Sequence, residues 1–209
     1  MDKKNVFPYG SRETEYLSSR DPALGRAIAQ IGHIDRPCDP NAFHSIVHGI
    51  IAQQISKKAQ LTVWGRLEAA VGTVDAQSVL RLDAPALQAL GMTFRKAEYI
   101  LDFAGKVAKG EFDPESLRAM SDAEAIAALS SLKGIGPWTA EMLLLFCFQR
   151  PDIMSRRDLA VVRGLRILHG LERVDDEIFE TYRALYSPYG STASLYLWHI
   201  GGNAGGGIA

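Results

Sequence analysis

Apolar positions recur every three or four residues along most of this chain, the spacing of amphipathic helices, and no segment alternates as a half-buried strand does. The segment after Asp39-Pro40 is the clearest case, because the acid stands at a cap position and the proline at the first helical position. We predict a helix from Asp39 through about Gln54. One stripe of that helix carries Phe43, Val47, Ile50, Ile51 and Gln54.

Capping residues and glycines divide the rest of the chain into short helices. Ser121 and Glu124 have the spacing of a capping box, in which each side chain binds the backbone N–H of the other residue. The sequence therefore predicts an all-α protein of about ten short helices, several of them ended by a glycine. The predicted starts are Asp21-Pro22, Asp39, Ser56, Thr93, Ser121, Pro137, Asp158, Asp175 and Pro188, with short turns at 75–81 and 84–90 and ends near Gly72, Gly110 and Gly170.

Composition narrows the class of protein without identifying it. The chain has 209 residues, of which 47% are hydrophobic, enough for one domain or two intimate lobes with a sizeable core. Lysine and arginine number 23 against 24 acids, and this net charge of −1 excludes a basic tail but not a local basic face. The two cysteines, Cys38 and Cys147, are too few for a disulfide framework, a four-cysteine zinc site or an iron–sulfur cluster.

No segment suggests export or membrane insertion. Met1–Arg20 lacks the apolar core of a signal peptide, and the longest apolar run, Met142–Phe148, is far shorter than the roughly 20 residues that span a bilayer. We therefore expect a cytoplasmic protein, nucleoid-associated if bacterial. His44 and His48 have a spacing that can bind a metal, but no third ligand accompanies them, so we predict ordinary helix surface there.

The most informative stretch is Leu132–Ala140, LKGIGPWTA, which lies between two predicted helices. Gly134 and Gly136 allow the backbone to turn tightly and to approach a partner closely. The turn ends where a helix starts, and the unpaired N–H groups of a helix start attract anions such as a DNA phosphate. A plain helix–helix corner has the same pattern, so the motif alone leaves both interpretations open.

Charge is distributed unevenly around this motif. Seven basic residues and four acidic ones lie between Lys133 and Arg173, a local charge of +3, so the rest of the chain carries −4. A basic segment inside an acidic protein suggests a side that faces a polyanion. A solvated helix face laced with salt bridges is the alternative.

Asp158 lies within this basic segment, 22 residues after Gly136 and directly before an apolar helix. Its position is that of an ordinary N-cap. A fixed carboxylate beside a cleft can also stabilise a cationic transition state, and breaking an N-glycosidic bond develops positive charge on the sugar. Spacing alone does not choose between the cap and the catalytic group.

Five separated blocks give the chain a family resemblance. Over about residues 40–200 it resembles the helix-hairpin-helix (HhH-GPD) DNA glycosylase superfamily, and within it the 3-methyladenine DNA glycosylase II branch most. Five blocks in the family's order are much more specific than the hairpin alone. The blocks are Ile51–Ser56, Leu90–Glu98, Leu132–Ala140, Arg157–Ala160 and Ala193–Trp198.

The resemblance implies two helical lobes with a DNA-facing cleft between them. Lobe one would span about 45–150 with the hairpin at 132–137, and lobe two would combine about 1–40 with 151–200. Together they would form one glycosylase domain over 1–200, followed by a flexible glycine-rich tail at 201–209. Asp158 would be the catalytic carboxylate at the cleft of a monomer that binds double-stranded DNA containing alkylated bases.

The resemblance also implies two groups of site residues. The first holds DNA, through hairpin N–H groups on the phosphates and through Gln54, which would wedge into the duplex where the base has left. No cofactor is required, although Na⁺ or K⁺ could bind the hairpin carbonyls near Leu132 and Ile135. The DNA-binding residues are Gly134, Ile135, Gly136, Thr139, Gln53, Gln54 and Ser56, and the base-pocket residues are Trp138, Trp198, Tyr196, Met142 and Leu159.

Trp138 stands where bifunctional glycosylase–lyases of the superfamily have a nucleophilic lysine, and an indole cannot form a Schiff base. The resemblance therefore implies a monofunctional hydrolase of base excision repair. It would flip out alkylated purines of the 3-methyladenine or 7-methylguanine type and leave an abasic site. Two alternatives stay open: the same fold acting on oxidised or deaminated bases, and a non-catalytic module that only binds DNA.

Overall fold

The computed structural model describes residues 5–203 of the chain. Across these residues the regular secondary structure is helical, and the sole β-type pairing is one bridge between Val6 and Pro37. The prediction of an all-α fold is confirmed. The helices of the described residues are α1 (Ser11–Arg20), α2 (Pro22–Ile31), α3 (Ala42–Ala52), α4 (Lys57–Val71), α5 (Ala76–Val79), α6 (Ala84–Ala89), α7 (Phe94–Ala108), a 3₁₀ helix (Pro114–Ala119), α8 (Asp122–Ser130), α9 (Pro137–Phe146), α10 (Leu159–Leu168), α11 (Asp176–Tyr186) and α12 (Gly190–Asn203).

Most predicted helix starts are confirmed because they depend on local hydrogen bonds. Both bonds of the capping box form, from Ser121 N–H to the Glu124 carboxylate and from Glu124 N–H to Ser121 Oγ. The other caps accept a backbone N–H from the first turn of their own helix, which satisfies a donor that the helix leaves unpaired. These caps are Asp21, Ser56, Thr93, Asp158 and Asp175.

Two predicted boundaries of α3 are wrong. The helix begins at Ala42, because Asn41 is the cap and accepts the His44 N–H at 3.0 Å. Asp39 instead accepts the Asn41 N–H at 3.0 Å in the turn before it. The helix ends at Ala52, and Gln54 leaves it with a positive φ of 56°. The other end of the chain also differs, since α12 begins at Gly190 and not at Pro188.

The chain divides into two compact units. The central unit comprises Asp39–Phe148, and the terminal unit comprises Met1–Cys38 with Gln149–Ala209. In the central unit, α3 packs against α4, α7 and α9. Its largest buried side chains are Ile46, Ile50, Ile51, Leu67, Leu87, Ile100 and Phe103.

In the terminal unit, α10 and α12 pack backbone to backbone. A Cβ on Gly164 would lie 2.2 Å from the Leu197 carbonyl oxygen, and one on Gly201 would lie 2.2 Å from the Ala160 carbonyl oxygen. Only glycine permits so close an approach. The core of this unit comprises Leu17, Leu24, Ile28, Met154, Val161, Leu165, Phe179, Tyr186, Ala193, Tyr196 and Leu197.

This packing corrects the prediction that a flexible tail begins at residue 201. Helix α12 continues through Gly201 and Gly202 to Asn203, because the contact between Gly201 and Ala160 extends the helix pair. The rest of the predicted tail, 204–209, lies outside the described residues. In the described part of the chain, no helix combines the length and apolarity needed to cross a bilayer.

Candidate functional site

The glycine hairpin joins α8 to α9 in the central unit. The Ile135 N–H donates to the Leu132 carbonyl at 3.1 Å and closes the turn, while Gly134 has a φ of 83° that favours glycine. Gly136 is the extended N-cap of α9 and provides no side-chain cap, and Pro137 takes the first helical position. The positive end of the α9 dipole therefore opens directly onto the turn.

This geometry supports only part of the predicted phosphate contact. Among the described residues, the N–H groups of Gly134 and Gly136 donate to no acceptor, so both can bind an anion. The Ile135 N–H is occupied within the turn, and its side chain is buried, so this residue differs from the prediction. The Leu132 carbonyl accepts that bond and keeps a second lone pair. Cation binding near Leu132 and Ile135 stays a prediction.

Helix α7 supports the hairpin from behind. A Cβ on Gly134 would lie 2.2 Å from the Tyr99 ring, so the turn rests directly on that ring. The Lys133 ammonium lies 2.6 Å from the Asp102 carboxylate. Pairing with Lys133 holds the pKa of Asp102 below its usual range and raises the pKa of Lys133. The position of the turn is thus fixed by side chains that lie more than 30 residues away in sequence.

The segment after α3 carries the predicted wedge. Gln54 is exposed and has a φ of 56°, a left-handed backbone conformation that is uncommon for a residue other than glycine. Such strain persists only where the surrounding structure enforces it, and it often marks a functional position. Ser56 is exposed and caps α4 by accepting the Ala59 N–H at 3.2 Å. The placement of Gln54 is compatible with insertion into a duplex.

Two further predicted DNA contacts point into the protein. The Gln53 side-chain amide donates to the Gly134 carbonyl at 2.6 Å, so it braces the hairpin. Thr139 is half-buried, and its methyl group would lie 3.6 Å from a Cβ on Gly49 of α3. Sequence could not distinguish these inward orientations, because both residues adjoin exposed ones.

Lys96 contacts the segment before Gln54, although it is not among the site residues predicted from the sequence. Its ammonium donates to the Ile51 carbonyl at 2.8 Å and to the Gln53 carbonyl at 2.6 Å, both at the C-terminus of α3. Burial lowers the pKa of Lys96. A signal existed in the sequence, since Lys96, Tyr99 and Asp102 recur at three-residue spacing along α7 and can share a face.

In the terminal unit, Asp158 is the N-cap of α10. It is only 7% exposed, and its Oδ1 accepts the N–H groups of Ala160 at 2.9 Å and Val161 at 3.1 Å. The rest of α10 is fixed by its contact with α12 at Gly164 and Gly201. The carboxylate is therefore held by its own helix, and that helix is held by its neighbour.

The far end of α10 is anchored by a buried polar cluster. His169, the C-cap, has its Nε2 3.2 Å from the Asp21 carboxylate, which also accepts the Tyr186 hydroxyl at 2.7 Å. The His169 ring stacks on Tyr182 with 4.2 Å between ring centroids. Burial lowers the pKa of His169, partly offset by the Asp21 charge, and raises that of Tyr186. Both ends of α10 are thus restrained.

The predicted base-pocket residues fall into both units. In the central unit, Trp138 is 45% exposed on the first turn of α9, and Met142 is half-buried one turn later. In the terminal unit, Leu159 is 77% exposed beside Asp158, and Trp198 is half-buried with the Arg36 guanidinium 6.0 Å from its ring centroid. These four side chains lie outside the core, and their role in a base pocket stays a prediction.

Tyr196 corrects the prediction for the base pocket. It is 1% exposed in the core of the terminal unit, and its hydroxyl donates to the Gly32 carbonyl at 3.1 Å. The same hydroxyl lies 3.2 Å from that of Tyr9, and burial raises the pKa of Tyr196. Tyr196 lies next to Leu197 on a helix buried on several sides, which its sequence position near Trp198 did not reveal.

Some arginines of the basic segment around Asp158 form salt bridges with acidic residues of the protein itself. Lys133 lies in the central unit, whereas the arginines from Arg150 onward lie in the terminal unit. Arg156 is paired with Asp176 at 2.8 Å and stacks on the Phe179 ring. Arg173 lies 3.9 Å from Asp175. Part of the segment is therefore engaged in salt bridges, although Arg156 and Arg173 lie in the loops before α10 and α11 and not on the helix face of the predicted alternative.

A protein-family model covers both of these regions. Residues 47–188, which include the hairpin and Asp158, match the model described as HhH-GPD superfamily base excision DNA repair protein. The chain belongs to this family. In this HhH-GPD chain, the matched range includes the end of α3, the hairpin and α10 but not Trp198.

Similar proteins carry consistent names. The HhH-GPD chain is 27% identical over 205 residues to DNA-3-methyladenine glycosylase 1 of Schizosaccharomyces pombe, covering 94% of this chain and 90% of that protein. A DNA-3-methyladenine glycosidase from Bacillus halodurans has a crystal structure with a TM-score of 0.84 and 33% identity, over 96% and 94% of the two chains. A Schizosaccharomyces pombe 3-methyladenine DNA glycosylase bound to abasic DNA has a TM-score of 0.78 and 25% identity, over 90% and 95%.

Proposed function

We propose that this protein is a monofunctional DNA glycosylase that flips alkylated purines out of double-stranded DNA and hydrolyses their N-glycosidic bond. The similar proteins named as 3-methyladenine glycosylases support the alkylated-base substrate. We base the type II assignment on the resemblance of the sequence blocks. The structure bound to abasic DNA supports duplex DNA as the partner. We further propose that it acts as a cytoplasmic monomer and requires no cofactor, and that the hairpin carbonyls can bind a structural Na⁺ or K⁺ ion.

The observation that carries the proposal is the fixed carboxylate of Asp158. A purine methylated on its ring is positively charged, so it departs as a neutral base when the bond between C1′ and the ring nitrogen breaks. The positive charge then moves to the sugar, where a preorganised carboxylate stabilises it. A water oxygen bonds to C1′, and its proton passes to Asp158 or to solvent. The product is an abasic site.

The surroundings of the hairpin support hydrolysis without lyase activity. Trp138 offers no amine for a Schiff base. Lys133, the nearest lysine in sequence, is paired with Asp102, which raises its pKa and keeps the amine protonated at neutral pH. The Lys96 ammonium is engaged with two carbonyls of α3. Burial lowers the pKa of Lys96, but its two carbonyl contacts favour the protonated ammonium, which is not a nucleophile.

The proposed roles of the DNA-binding and base-binding residues rest on which of their groups are accessible to a ligand. Gln54 would fill the gap left by the flipped nucleotide, and the free N–H groups of Gly134 and Gly136 would hold the phosphates of the damaged strand. In the central unit, Trp138 would offer an aromatic face and Met142 an apolar contact, and in the terminal unit Trp198 and Leu159 would offer the same. Aromatic faces favour a charged lesion over a neutral one.

The decisive experiment compares wild-type protein with Asp158→Asn on methylated duplex DNA. Asparagine caps helices as well as aspartate does, so α10 should stay intact while the charge is lost. We expect 3-methyladenine release to fall at least about 100-fold. Asp175→Asn, the matched N-cap of α11, should retain the wild-type rate. No methylated base released by the wild-type protein, or a full rate in Asp158→Asn, would exclude the proposal.

A lesion panel and a trapping assay separate the alternatives. On single-lesion duplexes, we expect methylated purines to be released faster than 8-oxoguanine or uracil, and faster release of a neutral base would instead favour the oxidised- or deaminated-base function. Borohydride should trap no covalent DNA adduct, because no Schiff base forms. Salt-dependent binding without release of any base would identify a non-catalytic module.

A further inference from the structure

Helix α3 is followed by a residue in the left-handed conformation, and this residue is not the glycine that is usual there. Helices that close with a left-handed residue usually place glycine there, because a Cβ makes that conformation sterically unfavourable. Here that residue is Gln54, with a φ of 56°. The conformation therefore needs support from neighbouring groups.

Lys96 supplies that support through a charge-assisted contact. The last carbonyls of a helix have no partner within the helix and carry the negative end of its dipole. The Lys96 ammonium donates to two of these carbonyls, Ile51 at 2.8 Å and Gln53 at 2.6 Å, immediately before Gln54. Its stem rises from the first turn of α7, whose start is fixed by the Thr93 cap.

Gln53 extends this contact to the hairpin. Its carbonyl accepts from Lys96, and its side-chain amide donates to the Gly134 carbonyl at 2.6 Å. Gly134 in turn rests on Tyr99, which lies one turn after Lys96 on α7. Helix α7 thus contacts both the segment that carries Gln54 and the hairpin turn, and these three elements lie within the central unit.

We propose that Lys96 is a positioning residue, which fixes the backbone at Gln54 relative to the hairpin so that wedge and phosphate-binding turn form a preassembled pair. The role in DNA rests on the proposed function, whereas the role in the free protein does not. Lys96 itself touches neither base nor sugar. It acts through the backbone of Gln53 and Gln54.

The first test measures wedge insertion without chemistry. The DNA duplex carries an abasic site with the fluorescent base 2-aminopurine beside it. The fluorescence of 2-aminopurine rises when the wedge residue unstacks this base from its neighbours. At protein concentrations that saturate binding, we expect Lys96→Met to lower this rise severalfold, because it keeps the stem and removes the ammonium. Lys96→Arg should recover at least half, since it restores a cationic donor. Lys109→Met, an exposed lysine after α7, should match wild type.

The second test separates positioning from general stabilisation. In excision assays, we expect Lys96→Met to lower the rate about tenfold in the wild-type background, because small misplacements of a positioned group are costly. In a Gln54→Ala background, the same change should lower the rate less than twofold, because the group that Lys96 positions is gone. Equal losses in both backgrounds, or a Lys96→Arg variant as poor as Lys96→Met, would overturn the proposal.

The third test does not need glycosylase activity. Native-state hydrogen exchange should show faster exchange at the amides of residues 51–53, which are hydrogen-bonded at the end of α3, in Lys96→Met than in wild type or Lys109→Met, at equal global stability. If the wild-type protein releases no base while these amides still exchange faster, the proposed function fails and the positioning role stands. Unchanged exchange at these amides overturns the positioning role whatever the activity.

Discussion

Two helix N-termini in this protein are built in opposite ways. Helix α9 begins at Gly136, which provides no side-chain cap and leaves its N–H open at the positive end of the helix. Helix α10 begins at Asp158, whose own carboxylate accepts two of the N–H groups. The first arrangement is available to a foreign anion, and the second holds an anion of the protein in place. The same structural element is thus left open to a ligand in one unit and closed by its own side chain in the other.

The two helices are also held by different forces. The turn before α9 is braced by side chains, namely the Tyr99 ring, the Gln53 amide and the pair formed by Lys133 and Asp102. Helix α10 is held by direct backbone contact with α12 and by the buried cluster around His169. A turn that offers its amides outward is necessarily supported from behind, whereas a buried carboxylate can be fixed by close packing around it.

Disrupting the packing of α10 against α12 should destabilise the protein most. In Gly164→Ala, the new Cβ would lie 2.2 Å from the Leu197 carbonyl oxygen, so α10 and α12 must separate. We expect the free energy of unfolding to fall by about 3 kcal/mol, measured by urea denaturation. Gly105→Ala in α7 is the matched control, because it meets no atom within 4 Å and should stabilise by up to about 1 kcal/mol. Equal stabilities for the two variants would show that the contact is not tight.

Giving α9 a carboxylate cap like that of α10 should change stability less but should specifically weaken DNA binding. Gly136→Asp meets no atom within 4 Å and would cap α9 with its own carboxylate. We expect unfolding to become harder by a few tenths of a kcal/mol, while DNA affinity falls about tenfold or more through repulsion of the phosphate. Gly136→Asn, an uncharged cap, should lose less affinity in fluorescence anisotropy. If Gly136→Asp bound DNA as wild type does, α9 would not face a phosphate.

The smallest effect is the pH dependence of the buried cluster at His169. Because burial lowers the pKa of His169 in the folded protein, the unfolded chain takes up the proton first as the pH falls. The contribution of the neutral His169 side chain to folding stability is complete above about pH 6.5. This contribution is lost as the pH falls below that value towards the pKa of His169 in the folded protein. We expect His169→Gln to flatten the fall in urea midpoint between pH 7.5 and pH 5. Parallel curves for the two proteins would contradict this assignment.

Sequence was sufficient where a feature depends on neighbouring residues. The caps at Ser56, Thr93, Ser121 and Asp158 were predicted because a cap binds N–H groups two or three residues ahead. The glycine hairpin and its position before α9 were predicted for the same reason. Asp39 was a wrong choice only because Asn41, two residues later, makes the competing cap.

Sequence was insufficient where burial or a distant contact decides the role. Tyr196 and Trp198 are two residues apart, yet one lies in the core and the other is half-buried beside Arg36. Gln53 and Gln54 are adjacent, yet one braces Gly134 and the other is exposed. These differences depend on which face of a helix or turn meets the rest of the unit, and no local pattern records that.

Local sequence patterns were enough to predict an all-helical protein, the start of most helices, a glycine turn before α9 and a carboxylate at the start of α10. These features rest on hydrogen bonds and dihedral preferences within a few residues of the chain. Three other features became visible only in the folded protein: α7 supports the hairpin, Lys96 contacts the end of α3 across 45 residues, and Gly164 and Gly201 let α10 pack against α12. Contacts of this kind depend on shape and close packing between distant segments, which the chain acquires only when it folds.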